Sequence, residues 1–156
     1  MSGPPTPAGP RVLAIASGGG HWVQLLRLRP AWEGCRVTYV SVRPGYADDV
    51  PGERFRTIND ATRWDKLGLV QMAIRLAWIM LRVRPHAVVS TGAAPGYFAI
   101  RLGRLLGART IWIDSIANVE EMSMTGQLVR RHATLWLTQW PHLASADGPA
   151  HEGSVL

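Results

Sequence analysis

The 156-residue chain has one cysteine, one lysine and two phenylalanines, and each scarcity narrows what it can be. A lone Cys35 permits no internal disulfide, so a packed core must hold the fold, and the sequence is compatible with a reducing compartment. His21, His86, His132, His142 and His151 lack ligand spacing and nearby cysteines, so no metal site is expected. Neither G-x-G-x-x-G nor G-x-x-x-x-G-K-[ST] occurs, which removes the usual dinucleotide fingerprint and the nucleoside-triphosphatase loop. Residues 1–10 are rich in Pro and Gly and have no apolar stretch. That is the composition of a disordered arm, not of a signal peptide or a membrane anchor.

What is present is a globular composition, 47% apolar and 18% charged, of a size for one domain over 11–156. Seventeen basic residues, all arginine except Lys66, face eleven acidic ones and leave a net charge of +6. Such a surface suits anionic lipid, phosphorylated substrates or nucleic acid. No nucleic-acid module with interleaved aromatics is recognisable, so no nucleic acid is expected. Seven tryptophans fit either a membrane interface or a core, and composition alone does not choose.

Hydrophobic patterning alternates strands and helices. Strands are expected over 11–16, 36–42, 54–58 (at an edge), 87–90, 110–113 and 134–138, with helices over 22–29, 64–84, 97–106 and 126–132. Such alternation implies an α/β, Rossmann-like parallel sheet with helices on both faces. Ligands then bind outside the carboxyl ends of the strands, so the loops 17–21, 91–96 and 114–125 are where a site would form. The first holds three consecutive glycines, Gly18, Gly19 and Gly20, between a strand and a helix. Such a loop either admits a phosphate to the helix N-terminus or only makes a tight turn. His21 ends it, as a base for a hydroxyl, a phosphate contact or a structural residue. No acidic residue ends the second strand to hold a ribose. Arg43 alone keeps open a 2′-phosphate and hence an NADP-type oxidoreductase.

Three stretches are more specific: S-G-G-G-H-W-V-Q-L from Ser17, S-T-G-A-A-P-G from Ser90, and D-S-I-A-N-V-E-E-M-S-M-T-G-Q-L from Asp114, followed by Q-W-P-H-L from Gln139. With them the chain, from about residue 11 to 156, resembles bacterial polysaccharide-biosynthesis glycosyltransferase subunits of the PssD and CpsF type. Those are similar to the membrane-anchoring subunit of the eukaryotic dolichol-linked UDP-GlcNAc transferase and to the N-terminal half of MurG. The resemblance implies the acceptor-binding half of a GT-B glycosyltransferase divided between two polypeptides. The donor, a UDP-sugar, would be held by a partner chain, and no cofactor would be bound tightly. The acceptor would be a polyprenyl-diphosphate-linked sugar. On the same basis His21 and Asp114 are the catalytic candidates. Ser17, Gly18, Gly19, Gly20, Thr91, Gly92 and Glu120 are candidates for holding the acceptor and its diphosphate. Asp114 would orient or deprotonate the attacking hydroxyl, or would cap the following turn. Glu120 and Glu121 also read as solvated loop charges.

The segment 67–83 is apolar except for Gln71, Arg75 and Arg82. At about the minimum length for a span and with Arg75 at its middle, it is not expected to cross a bilayer. It reads either as an interfacial helix with Arg75, Trp78 and Arg82 at an anionic membrane surface, or as a core helix. Peripheral attachment at the cytoplasmic face of the plasma (inner) membrane is the expectation. A non-catalytic scaffold that recruits the donor-binding subunit to the membrane is the alternative from another class.

Overall fold

The computed structural model describes residues 9–155; the expected arm lies outside them except for Gly9 and Pro10. Along the chain run β1 (Arg11–Ile15), α1 (Gly20–Arg27), β2 (Arg36–Ser41), β3 (Arg54–Thr57) and α2 (Lys66–Val83). Then come β4 (Ala87–Ser90), α3 (Ala93–Leu105), β5 (Arg109–Ile113), α4 (Met124–Val129), β6 (Leu135–Thr138) and β7 (Ala150–His151). The strands form one seven-stranded sheet in the order β3-β2-β1-β4-β5-β6-β7, every pair parallel.

Alternation within the strands sorts side chains to two cores. Leu13 and Ile15 of β1 join Trp112 of β5 against Met72, Leu76, Ile79 and Met80 of α2 and Ala99 and Ile100 of α3. Val12, Ala14 and Ala16 point the other way, onto Trp22 and Leu25 of α1 and Trp32 of a 3₁₀ turn, Arg29–Trp32. α2 starts where Asp65 accepts the Gly68 N–H at 2.9 Å, and ends where Arg84 turns left-handed ahead of Pro85.

Two expectations need correction. The 3.6-residue register of α3 begins at Ala93, inside what reads as a loop, because Pro95 falls in the first helical turn, where its missing N–H costs nothing. The second sheet face, expected to lie under helices, is covered by α1 and the Arg29–Trp32 turn only beside β1 and β2. Over β4, β5 and β6, Val89, Ile111, Ile113, Leu135 and Leu137 line an open apolar groove of about 470 Å³, bounded by residues 152–155. β7, two residues long, has too little sequence to reveal itself.

Candidate functional site at the β1–β4 crevice

The order of strands reverses between β1 and β4: the chain moves outward through β2 and β3, then returns to place β4 on the other side of β1. The loops leaving β1 and β4 therefore diverge and leave a crevice at their carboxyl ends. At its β1 wall, Gly19 caps α1 with φ 66°, a left-handed conformation that glycine adopts without penalty. The helix has no side-chain cap and no acidic residue in its first turn; the Trp22 and Val23 N–H groups turn back to the Gly19 carbonyl, so among the described residues the Gly20 and His21 N–H groups are the ones left without a partner at its start. The Gly19 N–H itself donates to Tyr46 Oη at 2.9 Å. Tyr46 stacks on Trp22 with ring centroids 4.8 Å apart, and Trp22 Nε1 donates to Asp49 Oδ2 at 2.8 Å. The turn Pro44–Asp49 thereby braces the glycine loop from behind.

His21 joins the two walls. Its Nδ1 lies 3.0 Å from the Thr91 carbonyl oxygen, and Thr91 Oγ1 donates to the His21 carbonyl at 2.6 Å. A carbonyl only accepts, so Nδ1 carries the proton and Nε2 of the neutral ring is left with a lone pair. Gly92 gives the ring its seat: a Cβ there would stand 2.6 Å from Cε1 and from Nδ1. Thr91, a candidate ligand contact by sequence, is fully buried with both its hydroxyl and its carbonyl engaged by His21, so it holds the histidine instead.

Asp114 is a second correction. It is 1% exposed and takes Trp112 Nε1 at 3.0 Å on Oδ1, Asn118 Nδ2 at 3.0 Å and Ser123 N at 2.8 Å on Oδ2, and the Ser123 hydroxyl on Oδ1. Four donors on two buried oxygens leave no lone pair facing a substrate, and the carboxylate organises its own loop. Ser123 in turn caps α4 through the Gly126 N–H. Glu120 is exposed and hydrogen-bonded to nothing in the crevice among the described residues. Ser17 is half-buried, its carbonyl 3.4 Å from Ser41 Oγ. Gly18 packs beside Arg43.

Two buried glutamines join the resembling stretches, a role hidden in their sequence. Gln24 Oε1 accepts from Gln139 Nε2 at 2.6 Å and from the Ile116 N–H at 3.1 Å, while its amide donates to Ser115 Oγ. Gln139 also donates to the Asp114 carbonyl and accepts from the Val155 N–H. Both glutamines fall within the quoted stretches, but a glutamine amide on a helix, as Gln24 is, or just past a strand, as Gln139 is, reads as solvent-facing until its partners are known.

Arg75, Trp78 and Arg82 lie away from the crevice on α2. Its inner side buries Met72, Leu76 and Ile79, and its outer side exposes Leu67 (86%), Val70, Ile74 (66%), Trp78 (53%) and Leu81. Arg75 Nε donates to the Thr57 carbonyl at 2.9 Å, and the Arg82 guanidinium lies 4.9 Å from the Trp78 ring centroid. Among the described residues no helix is long and apolar enough to cross a membrane.

No family model matches the chain. Among curated proteins it is similar to the UDP-N-acetylglucosamine transferase subunit ALG14 of Eremothecium gossypii, 27% identical over 174 residues that cover 91% of this chain and 76% of the relative. It is also similar to that of Yarrowia lipolytica (24% over 183 residues, 97% and 83%) and of Mus musculus (23% over 172 residues, 85% and 76%). Among solved structures, MurG of Acinetobacter baumannii matches with a TM-score of 0.77 at 16% identity, over 94% of this chain and 46% of that one. UDP-N-acetylglucosamine 2-epimerase of Rickettsia bellii matches with a TM-score of 0.70 at 11% identity, over 94% and 45%. The chain thus spans less than half the length of these structures, and at such identities they show the fold alone. In sequence the chain is similar to glycosyltransferase subunits, and its fold is the Rossmann-like α/β domain of the N-terminal half of GT-B enzymes.

Proposed function

We propose that this chain is the acceptor-binding, membrane-associating subunit of a two-chain glycosyltransferase of polysaccharide biosynthesis, of the PssD and CpsF type. The partner chain holds a UDP-sugar, and this chain holds a polyprenyl-diphosphate-linked sugar at the cytoplasmic face of the plasma membrane. The observation that carries the reading is His21, fixed by Thr91 with its Nε2 lone pair free, beside the open N-terminus of α1. In the reaction, the acceptor hydroxyl gives its proton to Nε2 as its oxygen bonds to the anomeric carbon. The bond from that carbon to the nucleoside diphosphate breaks, the electron pair leaves with the diphosphate, and the anomeric configuration inverts. The Gly20 and His21 amides at the start of α1 lie against the acceptor diphosphate.

The outer stripe of α2 supports attachment: apolar side chains at 67, 70, 74, 78 and 81 follow one helical face, flanked by Arg75 and Arg82. The groove over β4–β6 supports docking of the donor-binding chain, because a parallel sheet ordinarily has both faces covered.

The test is co-expression with the donor-binding chain, then assay of the pair and each half on a lipid-diphosphate sugar with several nucleotide sugars. Activity is expected from the pair alone. His21→Ala should remove most of it while the pair still assembles. Full activity from the His21→Ala pair would leave only the recruiting scaffold, which the α2 stripe favours independently. Activity from this chain alone would overturn the division of labour.

A further inference from the structure

Arg43 follows β2 at the carboxyl end of the sheet, and the proposed reaction gives it no part. Its side chain lies across the glycine loop: a Cβ on Gly18 would stand 3.2 Å from Arg43 Nε and 3.6 Å from Cζ. Gly18, unlike Gly19, has no positive φ, so its backbone accepts any residue; what it provides is room. Two glycines of the crevice thus seat two side chains, Gly92 the imidazole of His21 and Gly18 the guanidinium of Arg43. Beneath Arg43 is the braced platform already described, with Cζ 5.9 Å from the Tyr46 ring centroid and Tyr46 stacked on buried Trp22. Arg43 is exposed, and among the described residues its donors meet no acceptor; the carboxylate braced nearby, Asp49, is engaged by Trp22.

We propose that Arg43 is a diphosphate-contacting residue that completes the acceptor site, with Gly18 leaving room beside it. This rests on the reading of the chain as the acceptor-binding half. A planar guanidinium forms paired, charge-assisted hydrogen bonds to phosphate oxygens, and here it stands beside the start of α1, to which the proposed function assigns the same diphosphate. The consequence is that Gly18 acts through Arg43 and not by admitting the ligand directly.

The purified full chain, without partner, is titrated calorimetrically with farnesyl diphosphate, farnesol and UDP. Farnesyl diphosphate should bind, farnesol should bind at least about tenfold more weakly, and UDP should show no dependence on Arg43. Arg43→Gln should weaken farnesyl diphosphate about tenfold, and Arg43→Lys should recover part of the loss. Gly18→Ala, whose backbone is permitted, asks the guanidinium to give by a few tenths of an ångström and should weaken binding less than Arg43→Gln does. The double variant Gly18→Ala/Arg43→Gln should be no weaker than Arg43→Gln alone, because both act on one contact. Unchanged affinity in Arg43→Gln, additive losses in the double variant, no farnesyl diphosphate binding by the wild type, or UDP bound through Arg43 as tightly as farnesyl diphosphate would each overturn the assignment. Because the titration needs neither partner nor turnover, an inactive wild-type pair would count against the proposed reaction and leave the Arg43 result standing.

Discussion

The loops 17–21 and 114–123 both leave carboxyl ends of neighbouring regions of one sheet, and both carry the sequence resemblance, yet they treat their polar groups oppositely. In the first, α1 begins without a cap, His21 keeps one ring nitrogen unengaged, and Arg43 lies across the loop with its donors free among the described residues. In the second, Asp114 accepts from Trp112, Asn118 and Ser123, Ser123 caps α4, and Trp140 Nε1 donates to the Ile116 carbonyl at 2.7 Å. A loop whose donors and acceptors satisfy one another holds its own shape; a loop with groups left open is free to meet a ligand. The buried pair Gln24 and Gln139 ties the second to the first, so the closed loop serves as the abutment for the open one.

The largest expected effect falls on the open loop. His21→Ala should lower kcat of the reconstituted pair by about 10²–10⁴, the usual contribution of a positioned base. Its melting temperature should fall less than that of Asp114→Ala, since it strands one buried acceptor, the Thr91 carbonyl, where Asp114→Ala strands four donors. Initial rates on a lipid-diphosphate acceptor, with a thermal melt of the same preparation, check both halves of the statement.

Asp114 should behave in the reverse way. Asp114→Ala strands four donors in a buried setting, and the cost is about 3 kcal/mol of stability, read by urea unfolding. Turnover per folded molecule should change far less than in His21→Ala. The contrast between the loops breaks if Asp114→Asn stays folded and yet loses as much kcat as His21→Ala, because the carboxylate would then be acting on the substrate.

This contrast also marks what could be read from the sequence. The strands of the sheet interior show themselves through runs such as R-V-L-A-I and R-V-T-Y-V-S, and the glycine loop is recognisable because only a strand and a helix flank it. Asp114 at the end of β5 is visible as a carboxylate in the right place, but its partners approach from 112, 118 and 123, and where their donors point is a property of the folded loop. The same holds for Thr91, whose position at the end of β4 suggests a ligand contact and whose hydroxyl instead turns back to His21. The open groove is hidden for a further reason: Ile111, Ile113, Leu135 and Leu137 have the composition of a covered face, and a sequence does not say whether the cover comes from the same chain.

A smaller effect probes how tightly the β4 loop holds the open site. Gly92→Ala places a methyl 2.6 Å from the imidazole and asks alanine to adopt φ 144°, so the ring must move. Displacing a catalytic group by about 1 Å costs roughly 10²-fold at most, and a ten- to hundredfold loss of kcat is expected with the acceptor KM less affected. A variant with wild-type turnover would show that the seat at Gly92 is dispensable and that Thr91 alone fixes the ring.

The smallest effect concerns Ala93, which follows Gly92 into α3 with φ 65°, a left-handed conformation that costs an alanine about 1 kcal/mol. Ala93→Gly removes that strain but gives the unfolded chain more freedom, worth roughly 0.4–1 kcal/mol the other way. The two terms nearly cancel, and a net gain of no more than about 0.5 kcal/mol in unfolding free energy is expected. Turnover should stay within about twofold of the parent protein, since two hydrogen bonds to Thr91 hold His21 and Gly92 gives its ring room. If stability rises while the rate collapses, the strained step at residues 92–93 is what aims the histidine, and the β4 loop, not the glycine loop alone, sets the geometry of the open site.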